Sequence, residues 1–226
     1  MLENYFHLVP QIEREIKELK LDSIILGLGP TGQLLPWIDR KVLGDIRVWS
    51  AHDAWRLWPV DDLLIMDPPQ PPRLQQGTEA FNWVVRARPK RLWIFPEAKF
   101  LWGPHLHRPL ASVTQEVNFL VWQRGPHENN IHPQHWPKKP MLEDERPHTA
   151  LISPTGLTTL AWREGCRRIG VLGMDMQSDH NTHGFAADVD HFFCCIEPEA
   201  REKGGLIANL SPISSVAKFR ALNPMA

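Results

Sequence analysis

The sequence predicts an α/β fold: a Rossmann-like, mainly parallel sheet flanked by helices, with an irregular insertion. Three observations carry this. Short apolar runs, such as Ile24-Ile25-Leu26, Leu63-Leu64-Ile65-Met66 and Ile169 to Leu172, recur with helical patterns between them. Their spacing near the N-terminus is roughly 20–25 residues, the rhythm of βαβ units. Each run also ends in small, polar or acidic residues. Right-handed crossovers bring such ends to one rim of a parallel sheet, where ligand crevices open.

Taken in order, residues 3–20 read as an amphipathic helix, with Pro10 as a break or a late start. The first strand starts at Asp22-Ser23 and runs into Gly27-Leu28-Gly29-Pro30-Thr31-Gly32. A glycine turn there suits close approach of backbone N–H groups to a phosphate. It suits equally a tight turn with glycines at positive φ. The spacing is not G-x-G-x-x-G, and no P-loop lysine follows. Ile46 to Trp49 is the second strand, ending in Ser50-Ala51-His52-Asp53, with a helix expected from near Asp53. The third strand ends in Asp67-Pro68-Pro69. A helix over Thr78 to Arg88 and a strand over Leu92 to Phe95 come next.

From Pro96 to Thr149 the rhythm fails. The segment holds His105, His107, His127, His132, His135 and His148 among many prolines, with a possible strand over Val117 to Gln123. It is too long and irregular for a connector, so the expectation is one domain over 1–226 with 96–149 as an insertion or lid. No histidine pair has the spacing of a helical zinc site, and the segment reads as a solvated loop more readily than as a metal site.

Ser153-Pro154-Thr155-Gly156 suits a helix start, and Leu157, Leu160, Ala161 and Trp162 give that helix an apolar face. Gly165 loosens its end. The strand that follows ends in Gly173-Met174-Asp175, ahead of a polar loop with Gln177, His180 and His183. A helix over Asp188 to Lys203 follows, then a strand over Leu206 to Leu210. Ser211-Pro212 reads as the N-cap and first residue of a last helix, whose start, with Ser214 and Ser215, is a second candidate anion site.

Bulk composition narrows the function classes. Hydrophobic content of 42% and charged content of 23% are those of a globular chain. A net charge of -1 argues against gripping nucleic acid by bulk charge. No apolar run is long enough to span a bilayer, the N-terminus lacks a signal-peptide pattern, and three cysteines make no disulfide framework; the expected location is the cytoplasm. Adjacent Cys194 and Cys195 fit an apolar helix better than a metal site. Most of the ten tryptophans are expected in or near the core.

The order of motifs resembles the sialyltransferases of glycosyltransferase family 42 and a related group of unknown function with pterin diphosphokinase-like members. The matching elements are Gly27-Leu28-Gly29-Pro30-Thr31, His52-Asp53, Asp67-Pro68, Thr155-Gly156, Gly173-Met174-Asp175, His183 ahead of a helix, and Ser211-Pro212-Ile213-Ser214. They cover both ends, about two-thirds of the chain. The chain departs from the family at Leu28, where Asn is usual, at Asp67, where the sialyltransferases commonly have Asn, and in lacking the phosphate-serving tyrosines, since Tyr5 is its one tyrosine. A CMP-sialic acid donor is therefore not implied.

The resemblance implies a metal-independent transfer of a sugar from a nucleotide donor, bound as substrate rather than cofactor, to an acceptor hydroxyl. His183 is the candidate base and His180 its reserve, although a solvated loop histidine is an equal reading of His183. Asp175 is a candidate for orienting ribose or acceptor, or a turn cap. Gly27, Gly29, Pro30, Thr31, His52, Asp53, Asp67, Thr155, Gly156, Gln177, Ser211 and Ser214 are candidates for the nucleotide site. Two alternatives stay open: a Mg²⁺-dependent diphosphokinase-like enzyme using Asp67 and Asp175, and a non-catalytic nucleotide-binding module. A nucleic-acid acceptor has no specific support. The whole reading requires parallel strands and a glycine turn that lies beside Asp175.

Overall fold

The structure is a computed structural model that describes residues 2–51, 54–65, 84–94, 114–119, 123–124, 141–143, 148–149, 153–175, 186–214 and 216. Its main sheet holds β1 (Ser23–Leu26), β2 (Arg47–Ala51), β3 (Asp62–Ile65), β4 (Arg91–Ile94), β5 (Glu116–Phe119), β8 (Arg168–Leu172) and β9 (Leu206–Asn209). They lie in the order β5-β4-β3-β2-β1-β8-β9, and every neighbouring pair is parallel. A separate parallel pair is formed by β6 (Gln123–Arg124) and β7 (His148–Thr149).

The strands read as continuous apolar runs because both faces are covered. Ile24, Leu26, Leu63, Ile65 and Leu92 pack on one face. Ile25, Trp49, Leu64, Trp93 and Ile207 pack on the other. The first face is covered by α1 (Val9–Leu19), α2 (Arg40–Leu43) and a 3-10 helix over Gly32–Trp37, through residues such as Ile12, Ile16, Leu34 and Val42. The second is covered by α3 (Ser153–Arg163) and α4 (Ala186–Glu202), through Leu157, Trp162, Phe192 and Ile196.

Local chemistry sets the helix limits. Pro10 sits in the first turn of α1, where its missing N–H costs nothing, and a 3-10 helix over Leu2–Leu8 leads into it. Helix α3 closes at Gly165, whose φ of +94° suits glycine. The Gly165 N–H donates to the Trp162 carbonyl at 3.0 Å and the Cys166 N–H to the Ala161 carbonyl at 3.0 Å. That closure aims the chain straight into β8.

Two of these helix expectations change, the first after β2 and the last at Ser211. The helix expected from near Asp53 is a single 3-10 turn over Ala54–Arg56; Pro59 disfavours helical backbone at Trp58 and stops it early. The helix over Thr78 to Arg88 is described only at 84–87, where it is helical. Within 96–149, the strand expected over Val117 to Gln123 is described as β5, at the edge of the main sheet, and β6. In the same segment, Leu142 is buried (1% exposed) in the second-face core, and its N–H donates to Glu199 Oε2 of α4 at 3.0 Å. Finally, the last helix does not start at Ser211-Pro212: residues 211–214 form a turn.

Of the three cysteines, Cys166 and Cys195 are buried, Cys194 is half-buried, and none is disulfide-bonded. No described helix is long and apolar enough to cross a membrane.

Candidate functional site

Strand order locates the crevice. From β1 the chain steps outward through β2, β3 and β4 to β5, then returns to β8 on the other flank of β1 and moves on to β9. The β1–β2 connection packs on the first face and α4, between β8 and β9, on the second. Connections that leave adjacent strands for opposite faces create a topological switch point, and the crevice lies outside the C-terminal ends of those strands. Those ends are the glycine turn after β1 and Gly173-Met174-Asp175 after β8.

The two turns interlock through main chain. The Gly27 N–H donates to the Leu172 carbonyl at 2.8 Å, and the Gly29 N–H to the Gly173 carbonyl at 2.9 Å. A Cβ on Gly27 would lie 2.5 Å from the Gly173 oxygen. One on Gly29 would lie 2.6 Å from Asp175 Oδ2, and one on Gly32 would overlap the Gly27 carbonyl. Gly173 has φ +83°, and a Cβ on it would overlap the Gly27 oxygen. The turn's glycines are therefore needed for backbone-to-backbone contact. Among Gly27, Gly29 and Gly32 none has positive φ, which corrects the tight-turn reading.

Asp175 fastens the two turns. It is 1% exposed. Its Oδ2 accepts the Thr31 N–H at 2.7 Å; its Oδ1 accepts the Thr31 hydroxyl at 2.6 Å and the Ser211 hydroxyl. Thr31 Oγ1 in turn accepts the Gly173 N–H at 3.0 Å. Ser214 donates its hydroxyl to the Met174 carbonyl at 2.9 Å. Thus the ends of β1, β8 and β9 form one hydrogen-bonded unit. Ser211 serves Asp175 instead of capping a helix, and Ser215 of the second candidate anion site lies outside the described residues.

This bonding uses most of the turn's donors and leaves the Leu28 N–H without a hydrogen bond among the described residues. The N–H groups of Gly27, Gly29 and Thr31 are taken as above, those of Gly32 and Gln33 go to the Gly29 carbonyl, and Pro30 has none. A phosphate cradle needs several convergent N–H groups, and most of those in this turn are engaged within the protein. Leu28 stands apart: the residue is 51% exposed.

The other described candidates lie deeper. Thr155 and Gly156 are buried in the first turn of α3. That helix ends at the opposite rim, where Glu164 meets Arg91 at 2.7 Å, so its N-terminus faces the crevice end of the sheet. Pro30 and Gly29 are half-buried. His52, Asp53, Asp67, Gln177, His180 and His183 lie outside the described residues, as do the histidines at 105, 107, 127, 132 and 135. Among the described residues no three His, Cys, Asp or Glu side chains gather to hold a metal ion.

A second polar cluster sits at the N-terminal rim. Asp62, 1% exposed, accepts two hydrogen bonds from Arg47, at 2.5 and 2.8 Å, and one from the Trp93 indole at 2.8 Å. Arg91 Nε lies 2.8 Å from Asp62 Oδ1. The Arg47 guanidinium stacks 4.0 Å from the Trp49 ring centroid. Burial pushes the Asp62 carboxyl up to about 6, against the downward pull of its Arg47 and Trp93 donors. The sequence carries a signal for this cluster: Arg47-Val48-Trp49 and Arg91-Leu92-Trp93 repeat one pattern on the two strands flanking β3.

No family model matches the chain, and no curated protein matches it. Among solved structures, a mutant of the α-2,3/8-sialyltransferase CstII aligns with 89% of this chain and 86% of its own, at 14% identity and a TM-score of 0.46. No residue role or activity follows from a likeness of that degree.

Proposed function

We propose that this chain is a glycosyltransferase-like enzyme that moves a sugar from a nucleotide donor to an acceptor hydroxyl without a metal ion. One observation supports the reading most directly. The motifs whose order resembles the family, Gly27 to Thr31, Gly173 to Asp175 and Ser211 to Ser214, are far apart in sequence and hydrogen-bonded together at the switch point of a parallel sheet. That is where an open α/β sheet places its ligand.

The chemistry needs a base for the acceptor hydroxyl and positive character at the leaving phosphate. His183, with His180 in reserve, is the base in this reading. The N-terminal turn of α3, carrying Thr155 and Gly156, supplies the positive end of a helix dipole toward the crevice. His52, Asp53, Asp67 and Gln177 are assigned to the nucleotide. Asp175 becomes a positioning residue: it holds the glycine turn and the 211–214 turn in register. The Mg²⁺-dependent alternative would need Asp175 as a ligand, yet both its oxygens already accept hydrogen bonds.

A thermal-shift screen against nucleotides and nucleotide sugars, with and without Mg²⁺, tests this. A ligand that binds the folded state raises Tm by mass action. Stabilisation by a nucleotide or nucleotide sugar without metal is expected, as is loss of turnover with retained binding in His183→Ala. Stabilisation only with Mg²⁺ would favour the diphosphokinase-like enzyme. No shift with any nucleotide would remove the transferase.

A further inference from the structure

We infer that the turn after β1 meets its ligand through the Leu28 side chain, which takes the face of an uncharged planar ring, and not through backbone N–H groups around a phosphate. The inference rests on the nucleotide reading above and assigns the nucleobase to this edge of the crevice.

Donor occupancy excludes the phosphate. A phosphate cradle needs several convergent N–H groups. Here those of Gly27, Gly29, Thr31, Gly32 and Gln33 are committed within the protein, and the Leu28 N–H that remains is one donor and not a cradle. The commitments are not loosely held. Gly27, Gly29 and Gly32 lie so close to Gly27, Gly173 and Asp175 atoms that no Cβ fits, and Asp175 fixes Thr31 from both its N–H and its hydroxyl. Turning those N–H groups outward would dismantle the contact between β1 and β8 ends.

What the turn does present is apolar. Leu28 is one of the few large hydrophobic side chains exposed among the described residues, at 51%. Its carbonyl accepts from the Gln33 side chain at 3.4 Å, which holds the backbone behind it. A branched aliphatic group on a rigid turn, at the mouth of a switch-point crevice, gives favourable burial to a flat ring and nothing to a charged oxygen. The rest of the nucleotide then runs away from the turn, toward the α3 side.

The test is amide and methyl shift mapping on the full chain with adenosine, guanosine, cytidine and uridine, and separately with inorganic pyrophosphate. One nucleoside is expected to perturb the Leu28 methyl signals, while pyrophosphate leaves the amides of Gly27, Gly29, Thr31 and Gly32 in place. Leu28→Ala should weaken that nucleoside about fivefold, the worth of a half-buried leucine, without lowering Tm. Pyrophosphate shifts at those four amides, or a bound nucleoside that leaves Leu28 unperturbed, would overturn the inference. Binding of a nucleotide sugar but of no nucleoside would overturn it and leave the transferase standing. Binding of neither would end both.

Discussion

Removing Asp175 is expected to release the glycine turn and to cost a large part of the fold's stability. The buried carboxylate accepts the Thr31 N–H, the Thr31 hydroxyl and the Ser211 hydroxyl. In Asp175→Ala the N–H is orphaned with no freedom to turn, which costs about 2 kcal/mol, and the two hydroxyls, which can rotate, about 1 kcal/mol each. The sum, about 4 kcal/mol, is a sizeable share of the 5–15 kcal/mol typical of a domain, and lowers Tm by roughly 12 °C for a chain of this length. Asp175→Asn should lose about half as much, because an amide can accept the Thr31 N–H and donate to a hydroxyl. Urea unfolding measures the loss, and native-state hydrogen exchange at the Thr31 and Gly29 amides shows whether the turn opens. Retained stability within about 1 kcal/mol, with both amides still slow, would refute the positioning role. If Asp175 instead contacted ligand directly, Asp175→Asn would lose ligand affinity while stability and exchange stayed those of the wild type.

Other perturbations test neighbouring steps. Gly29→Ala brings a Cβ 2.6 Å from Asp175 Oδ2 and 2.7 Å from the Gly173 oxygen, and should cost about 3 kcal/mol, read as a melting temperature lower by about 10 °C; a tolerated alanine would mean that the turns do not interlock. Leu142→Ala should cost about 3 kcal/mol in urea if residues 141–143 pack against α4 as described, and next to nothing if they do not. Asp62 carries a pH signature. Its carboxyl is raised from 3.8 to about 6, so the folded chain keeps that proton up to about pH 6 while the unfolded chain has lost it by about pH 4. Stability from this group is therefore greatest at acid pH and falls across that window by at most about 3 kcal/mol. Urea unfolding of wild type and Asp62→Asn from pH 4 to 7 should show the wild type losing ground to the variant as pH rises. A wild type that instead gains on the variant as pH rises would mean that the two guanidiniums outweigh burial.

The sequence was legible where one residue's neighbours in the chain decide its state. Apolar runs buried on both sheet faces place β1, β3 and β8 within a residue or two, and the Pro10 late start and the Gly165 closure follow from local backbone preferences. It misled where a distant partner decides. Ser211-Pro212 has the local pattern of a helix start, but the Ser211 hydroxyl has a buried carboxylate to satisfy, and a turn brings it there. The glycines of the β1 turn look alike whether they cradle phosphate, permit positive φ or allow close packing. Only the position of Gly173 and Asp175, across the sheet, separates the three. The same holds for Asp62, unremarkable in sequence until β2 and β4 bring Arg47 and Arg91 to either side of it. Both polar clusters thus share a cause. A parallel sheet aligns strand starts at one rim and strand ends at the other, so residues remote in sequence meet there. At the starting rim charges pair with one another inside the core. At the ending rim the pairing tightens two turns against each other through the Asp175 carboxylate.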